Sequence, residues 1–122
     1  MPQIRKILFP VDFSDSCVGA ARHVAFFAGR FEAEIMLLHV VTMGEHALAS
    51  ELLPGRRAQL NAFLTSEFKY FTAHRMCVTG DPPSTIAGYA RSWRADLVMI
   101  PTHGAWILPA ASDRFDHRKG AA

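Results

Sequence analysis

Four short stretches of the chain are almost continuously apolar, and longer segments with helical spacing separate them. The apolar stretches cover residues 6–11, 34–41, 75–79 and 96–100. Unbroken apolar runs of this length are typical of strands that are buried on both faces, as in a parallel sheet. Pro10 and Pro101 end the first and fourth runs, because proline has no N–H to donate to a sheet.

The intervening segments repeat apolar residues every three or four positions, which predicts amphipathic helices. The predicted helices cover about residues 15–30, residues 56–71 and the segment that follows a turn at 80–84. Asp12 or Ser14 can cap the first helix, and Asp81 or Ser84 the third. Residues 42–53 are predicted to form a loop with a helical turn near its end. The alternation of strands and helices indicates an α/β fold with a parallel sheet and helices on both faces.

Composition and charge narrow the class of protein. The chain has 122 residues, of which 50% are hydrophobic, enough for one domain with its own core. The formal net charge of +2 is too small to predict a nucleic-acid partner. We expect no membrane partner, because no apolar run approaches the length of a membrane span. The N-terminus lacks the features of a signal peptide, so we expect a cytoplasmic location.

No pattern of residues indicates catalysis or metal binding. Cys17 and Cys77 are far apart and outside any CxxC motif, so we predict buried thiols rather than redox or metal-binding groups. The chain has no GxxxxGK[ST] motif and no glycine-rich loop after the first strand. No Ser-His-Asp or Cys-His set can be identified from spacing. We therefore expect that the protein is not an enzyme.

Four segments, in the same order and at the same spacing, resemble the universal stress protein (UspA-like) family. They are residues 7–14 with their Pro-x-Asp-x-Ser turn, residues 37–41, residues 80–82, and residues 95–104 with their final Thr-His-Gly. The resemblance implies a three-layer α/β/α open parallel sheet, Rossmann-like and similar to adenine nucleotide alpha hydrolases. It also implies a stress-response or signalling domain that binds ATP or a related adenine nucleotide, with Mg²⁺ when ATP is bound, and that forms a homodimer through its last strand.

The resemblance assigns eight residues to nucleotide binding. These are Pro10, Val11, Asp12, Val40, Ile100, Pro101, His103 and Gly104. The first three would line the adenosine end, Val40 would contact the adenine, and the others would lie beside the ribose and phosphates. Structural alternatives remain open: Asp12 can cap the first helix, Val40 can be an ordinary core residue, and His103 can bond only the loop backbone. His39 is interpreted as a core histidine with its hydrogen bonds satisfied.

The chain departs from the family pattern after residue 104. The nucleotide-binding branch carries G-x2-G-x9-G-[ST] there, whose glycines let backbone N–H groups approach phosphates. Pro101 occupies the first glycine position, Gly104 the second, and the third glycine with its Ser or Thr is absent. Codons permitted for the residues from Trp106 onward, read one base over, can restore a Gly-Ser at the family spacing. We interpret residues 1–104 as an incomplete family domain and residues 105–122 as a disordered tail that results from truncation or a frameshift.

These departures predict weak ATP binding in this chain. With the last strand and helix missing, the fourth strand is expected to be an exposed edge of the sheet. Two alternatives to a nucleotide binder stay open: a dimeric interaction module that binds no nucleotide, and a truncated product with no function of its own.

Overall fold

In the computed structural model of the chain, residues 3–42, 48–101 and 105–109 are described, with side chains up to residue 101. The elements are β1 (Lys6–Pro10), α1 (Asp15–Phe31), β2 (Glu34–Val41), α2 (Ala49–Ala62), β3 (Ala73–Thr79), α3 (Pro82–Ser92), β4 (Leu97–Pro101) and β5 (Ala105–Pro109). No helix in these ranges is long and apolar enough to cross a membrane.

The sheet has the strand order β3-β2-β1-β4-β5. Its first four strands are parallel, with β1 paired to both β2 and β4, and β2 paired to β3. Successive residues of a strand point to opposite faces. Ile7 and Phe9 therefore pack in the layer that contains α1 and α2, whereas Leu8 packs with residues of α3. The predicted three-layer fold with a four-stranded parallel sheet is confirmed.

The fifth strand corrects the expectation that β4 forms an exposed edge. Residues Ala105–Pro109 pair with β4 in the antiparallel direction, from Leu97↔Pro109 to Pro101↔Ala105. An antiparallel strand can follow its neighbour through a short connection, whereas a parallel strand needs a long crossover. The apolar start of the predicted tail can therefore add to the sheet without a further helix. The rest of that tail, residues 110–122, lies outside the described residues.

Helix α2 begins and ends earlier than its apolar pattern predicts. It starts at Ala49, before Pro54, and the Glu51 carboxylate accepts the Leu48 N–H at 3.0 Å. It ends at Ala62 because the backbone at Leu64 turns into the left-handed region, with φ 56°. The apolar residues beyond the helix still reach the core: Leu64 and Phe68 are both buried. The pattern therefore predicted burial correctly and helical structure wrongly over residues 63–71.

Candidate functional site

A cleft opens where β1 and β4 separate at their carboxyl ends. The two strands pair only at Ile7↔Leu97 and Leu8↔Val98. Val11 N donates to the Leu38 carbonyl on β2 at 2.9 Å, so the nitrogen of Pro10, one residue earlier, points towards β4. Proline has no N–H there, which ends the ladder between β1 and β4.

The cleft has a volume of about 310 Å³. Its lining residues come from the ends of β1, β2 and β4 and from the starts of α1 and α3: Pro10, Val11, Asp12, Cys17, Leu38, His39, Val40, Pro82, Ile86, Ile100 and Pro101. It lies at the point where the strand order reverses direction, because β2 and β3 lie on one side of β1 and β4 lies on the other. Open α/β sheets bind ligands at such switch points.

The structure brings six of the eight predicted site residues together in this cleft. They are Pro10, Val11, Asp12, Val40, Ile100 and Pro101. The other two, His103 and Gly104, lie outside the described residues.

Asp12 is the one acidic residue among the cleft-lining residues that the structure describes. Its Oδ1 atom accepts the Ser14 N–H at 3.0 Å. Hydrogen bonding from Ser14 is the largest influence on the pKa of Asp12 and holds it below its ordinary value, so the carboxylate is ionised near neutral pH. Ser14, not Asp12, is the N-cap of α1, since its hydroxyl accepts the Cys17 N–H. Asp12 is therefore not needed as the cap of this helix.

Cys17 contacts the same carboxylate from the first turn of α1. Its thiol lies 3.2 Å from Asp12 Oδ1, and its sulfur accepts the Asp12 N–H at 3.3 Å. Burial raises the pKa of the Cys17 thiol, so the sulfur keeps its proton and donates it to the carboxylate. Both cysteines are buried and free, as predicted. Cys17, however, is also a hydrogen-bonding group at the edge of the cleft.

His39, on β2, contacts the backbone of the residue that precedes Asp12. It is 6% exposed, and its Nδ1 atom lies 2.8 Å from the Val11 carbonyl oxygen, so Nδ1 carries the proton that is donated. Its Nε2 atom is buried without a hydrogen-bond partner in the described part of the chain. The prediction of a satisfied core histidine is therefore correct for one ring nitrogen only.

Phe13 turns the chain between Asp12 and the helix cap. Its φ of 66° is in the left-handed region, which is strained for a bulky residue. Its ring lies against the His39 ring, with centroids 4.4 Å apart, and meets the Phe63 ring at 5.1 Å. This packing compensates for the strained backbone and holds Asp12 in a fixed turn beside the cleft.

Comparisons with known proteins agree with this architecture. Residues 3–114 match the universal stress protein family. The chain belongs to the universal stress protein family. A universal stress protein of Methanocaldococcus jannaschii is 31% identical over 111 residues, which cover 82% of this chain. The chain spans 65% of the length of that relative.

Solved structures of the universal stress protein family share the fold. The universal stress protein UspA from Lactobacillus plantarum has a TM-score of 0.67 at 24% identity, over 82% of this chain and 78% of that one. A universal stress protein in complex with cAMP has a TM-score of 0.64 at 18% identity, over 80% of this chain and 72% of that one. At these identities the likeness concerns the fold alone.

The cleft of this family member also contains five residues that the sequence did not indicate. They are Cys17, Leu38, His39, Pro82 and Ile86. Cys17 could have been found from its place three residues after the N-cap, because side chains there reach back towards the residues before the helix. The two residues of α3 had no such signal, since the sequence does not specify how this helix is rotated against the sheet.

Apolar residues form most of the cleft wall in this family member. Leu38, Val40, Ile86 and Ile100 belong to the side chains packed in the layer with α3. No lysine or arginine is among the lining residues that the structure describes. An apolar wall suits an uncharged planar ring, and the one carboxylate suits hydroxyl groups attached to that ring through a neighbouring group. The same lining suits a polyanion less well.

Proposed function

We propose that this chain is a stress-response or signalling domain whose cleft binds an adenine nucleotide, chiefly through its adenosine part. The observation that carries the proposal is the combination of an apolar wall and a single carboxylate at the switch point of the sheet. An apolar wall receives the faces of a purine, and a carboxylate accepts hydrogen bonds from ribose hydroxyls. In this proposal the protein acts by binding its ligand rather than by catalysing a reaction. It acts in the cytoplasm.

Each predicted residue has a role in this proposal. Val40 contacts the adenine, Asp12 accepts ribose hydroxyls, and Pro10 and Val11 form the adenosine end of the cleft. By the family resemblance, Ile100 and Pro101 are assigned to the ribose and phosphates, together with His103 and Gly104, which lie outside the described residues. The universal stress protein of the same fold that was solved in complex with cAMP supports an adenine ligand.

The phosphate groups of ATP contribute little to affinity in this chain. Pro101 stands at the first glycine position of the family loop, and the third glycine with its Ser or Thr is missing. Each lost charge-assisted hydrogen bond to a phosphate removes about 1.5–3 kcal/mol. We therefore expect ATP with Mg²⁺ to bind weakly and no more tightly than adenosine.

Isothermal titration with adenosine, AMP, Mg-ATP and guanosine tests this proposal. We expect similar affinities for adenosine and AMP, no gain for Mg-ATP, and no binding of guanosine. Val40→Trp should abolish binding because the indole fills the cleft, whereas Val18→Trp on the exposed surface of α1 is the matched control. Low-micromolar binding of Mg-ATP with weaker adenosine binding would contradict weak phosphate contacts. Absence of binding to every adenine ligand would favour an interaction module that binds no nucleotide.

A homodimer is a separate part of the proposal, because it rests on the family resemblance. Light scattering of the purified chain is expected to give twice its mass of 13.5 kDa. A monomer at all concentrations would refute the dimer and leave the ligand proposal unaffected.

A further inference from the structure

The Cys17 side chain occupies a position between the helix and the cleft. It is 1% exposed, lies three residues after the Ser14 cap, and contributes to the lining of the cleft. Cys77, the other cysteine, is also buried, but it is not among the residues that line the cleft. The two thiols therefore differ in what they can influence, although both are buried in the same core layer.

The thiol of Cys17 makes two hydrogen bonds with Asp12. The sulfur accepts the Asp12 N–H at 3.3 Å, and the S–H group donates to Oδ1 at 3.2 Å. The Ser14 N–H donates to the same Oδ1 atom at 3.0 Å. Within the described residues, Oδ2 receives no hydrogen bond, so it is the oxygen left for a ligand. Asp12 is otherwise exposed, and a carboxylate on the surface rotates freely unless neighbouring groups hold it.

We propose that Cys17 is a positioning residue, whose thiol fixes the Asp12 carboxylate so that Oδ2 can accept the ribose hydroxyls of a bound nucleoside. The inference rests on the proposed function and adds to it a residue that acts through Asp12 without touching the ligand's hydroxyls itself. The Nε2 atom of His39, a residue that also lines the cleft, is buried without a hydrogen-bond partner among the described residues, which is a second indication that the polar groups here are arranged for more than packing.

Two ligands that differ only in their ribose hydroxyls distinguish a positioning role of Cys17 from a packing role. Adenosine carries both ribose hydroxyls, whereas 2′,3′-dideoxyadenosine carries neither. Cys17→Ala should lower the affinity for adenosine about threefold to tenfold, which is the effect of losing one hydrogen bond. The affinity for dideoxyadenosine should remain unchanged. Cys17→Ser should restore adenosine binding because a hydroxyl can make both hydrogen bonds, and Cys77→Ala should behave as the wild type.

A double variant with Asp12→Ala tests whether the effect of Cys17 on adenosine binding acts through the Asp12 side chain. In an Asp12→Ala background, Cys17→Ala should no longer change adenosine affinity, because no acceptor is left at residue 12 for the thiol to position. An equal loss of both ligands in Cys17→Ala would show a general packing role and overturn the inference. Unchanged adenosine affinity in Cys17→Ala would overturn it as well, while leaving the proposed function intact.

A measurement without ligand keeps the two proposals distinguishable. The pKa of Asp12, followed by NMR of its carboxyl carbon, should rise in Cys17→Ala, since a hydrogen bond to the ionised form is lost, and return in Cys17→Ser. No rise would refute the positioning contact. Failure of the wild type to bind adenosine would overturn the proposed function and, with it, the role of Cys17 towards a ribose.

Discussion

At the scale of single residues, the ionisation of Asp12 determines how ligand binding depends on pH. Hydrogen bonding from Ser14 lowers the pKa of Asp12, so the carboxylate of the folded protein stays ionised to a lower pH than an ordinary aspartate does. A pKa that is lowered on folding stabilises the folded state above the unfolded pKa, and this contribution is lost as pH falls through the folded pKa. Asp12 therefore has one charge state throughout the physiological range.

The expected result is an adenosine affinity that is constant from about pH 5 to 8 and decreases only when the pH falls below the ordinary pKa of an aspartate. Asp12→Asn should weaken adenosine about tenfold within the constant range, because it replaces a charged acceptor by a neutral one. Titration calorimetry at several pH values measures both effects. Asp15→Asn, in the exposed first turn of α1, should keep the wild-type affinity. A slope between pH 5 and 8 in the wild type would contradict this assignment.

Much of the cleft could be predicted at this scale, because ligand residues follow the carboxyl ends of strands. The family resemblance assigned Asp12, Val40 and Pro101, and their places at strand ends agree with that rule. His39 and Cys17 were not assigned, since their roles depend on atoms elsewhere in the chain: the Val11 carbonyl for one and the Asp12 carboxylate for the other. A sequence shows which residue is buried, but not which oxygen its polar atoms reach.

At the scale of elements, α2 shows how a side chain of a neighbouring strand caps the end of a helix. The Arg75 side chain on β3 donates to the carbonyl oxygens of Leu60 and Phe63, both at 2.6 Å. These carbonyls lie at the C-terminus of α2, where the last carbonyls of a helix are left without their usual partners. The Leu60 carbonyl also accepts the Phe63 N–H at 3.1 Å. The apolar period continues beyond this point, so the end of α2 could not be read from the pattern.

Replacement of Arg75 by Met is expected to lower the free energy of unfolding by about 1–3 kcal/mol, because the partly buried Phe63 carbonyl loses its side-chain donor and the Leu60 carbonyl loses one of its two hydrogen bonds. Urea denaturation measures this loss, and amide exchange should accelerate first in the last turn of α2. Arg57→Met, at an exposed position of the same helix, is the control and should change stability by less than about 0.5 kcal/mol. Equal effects of the two substitutions would refute the capping role of Arg75.

At the scale of the whole molecule, the alternation of strands and helices was sufficient to predict the sheet and its two covered faces. The direction of β5 was not predictable in this way, because a three-residue connection permits an antiparallel return that a family pattern with a crossover helix does not suggest. The location of the cleft follows from the strand order, and its opening from the missing N–H of Pro10.

Pro10→Val is expected to close the cleft while it leaves the stability nearly unchanged. The new N–H points towards β4 and can extend the ladder, which contributes about 0.5–1.5 kcal/mol. Loss of the proline makes the unfolded chain more flexible and offsets this by about 0.4–1 kcal/mol. Adenosine affinity should fall at least tenfold, and the amide of residue 10 should be protected from exchange. Pro83→Ala, at an exposed position of α3, should preserve binding.

The near balance of these two contributions has a consequence for how members of the family can diverge. If position 10 can change with little effect on folding, then selection for a stable sheet does not preserve the proline. The width of the crevice can then drift between relatives while their cores stay the same. Two proteins with superimposable sheets can therefore differ in whether their crevice admits a metabolite at all, through one residue at the end of the first strand.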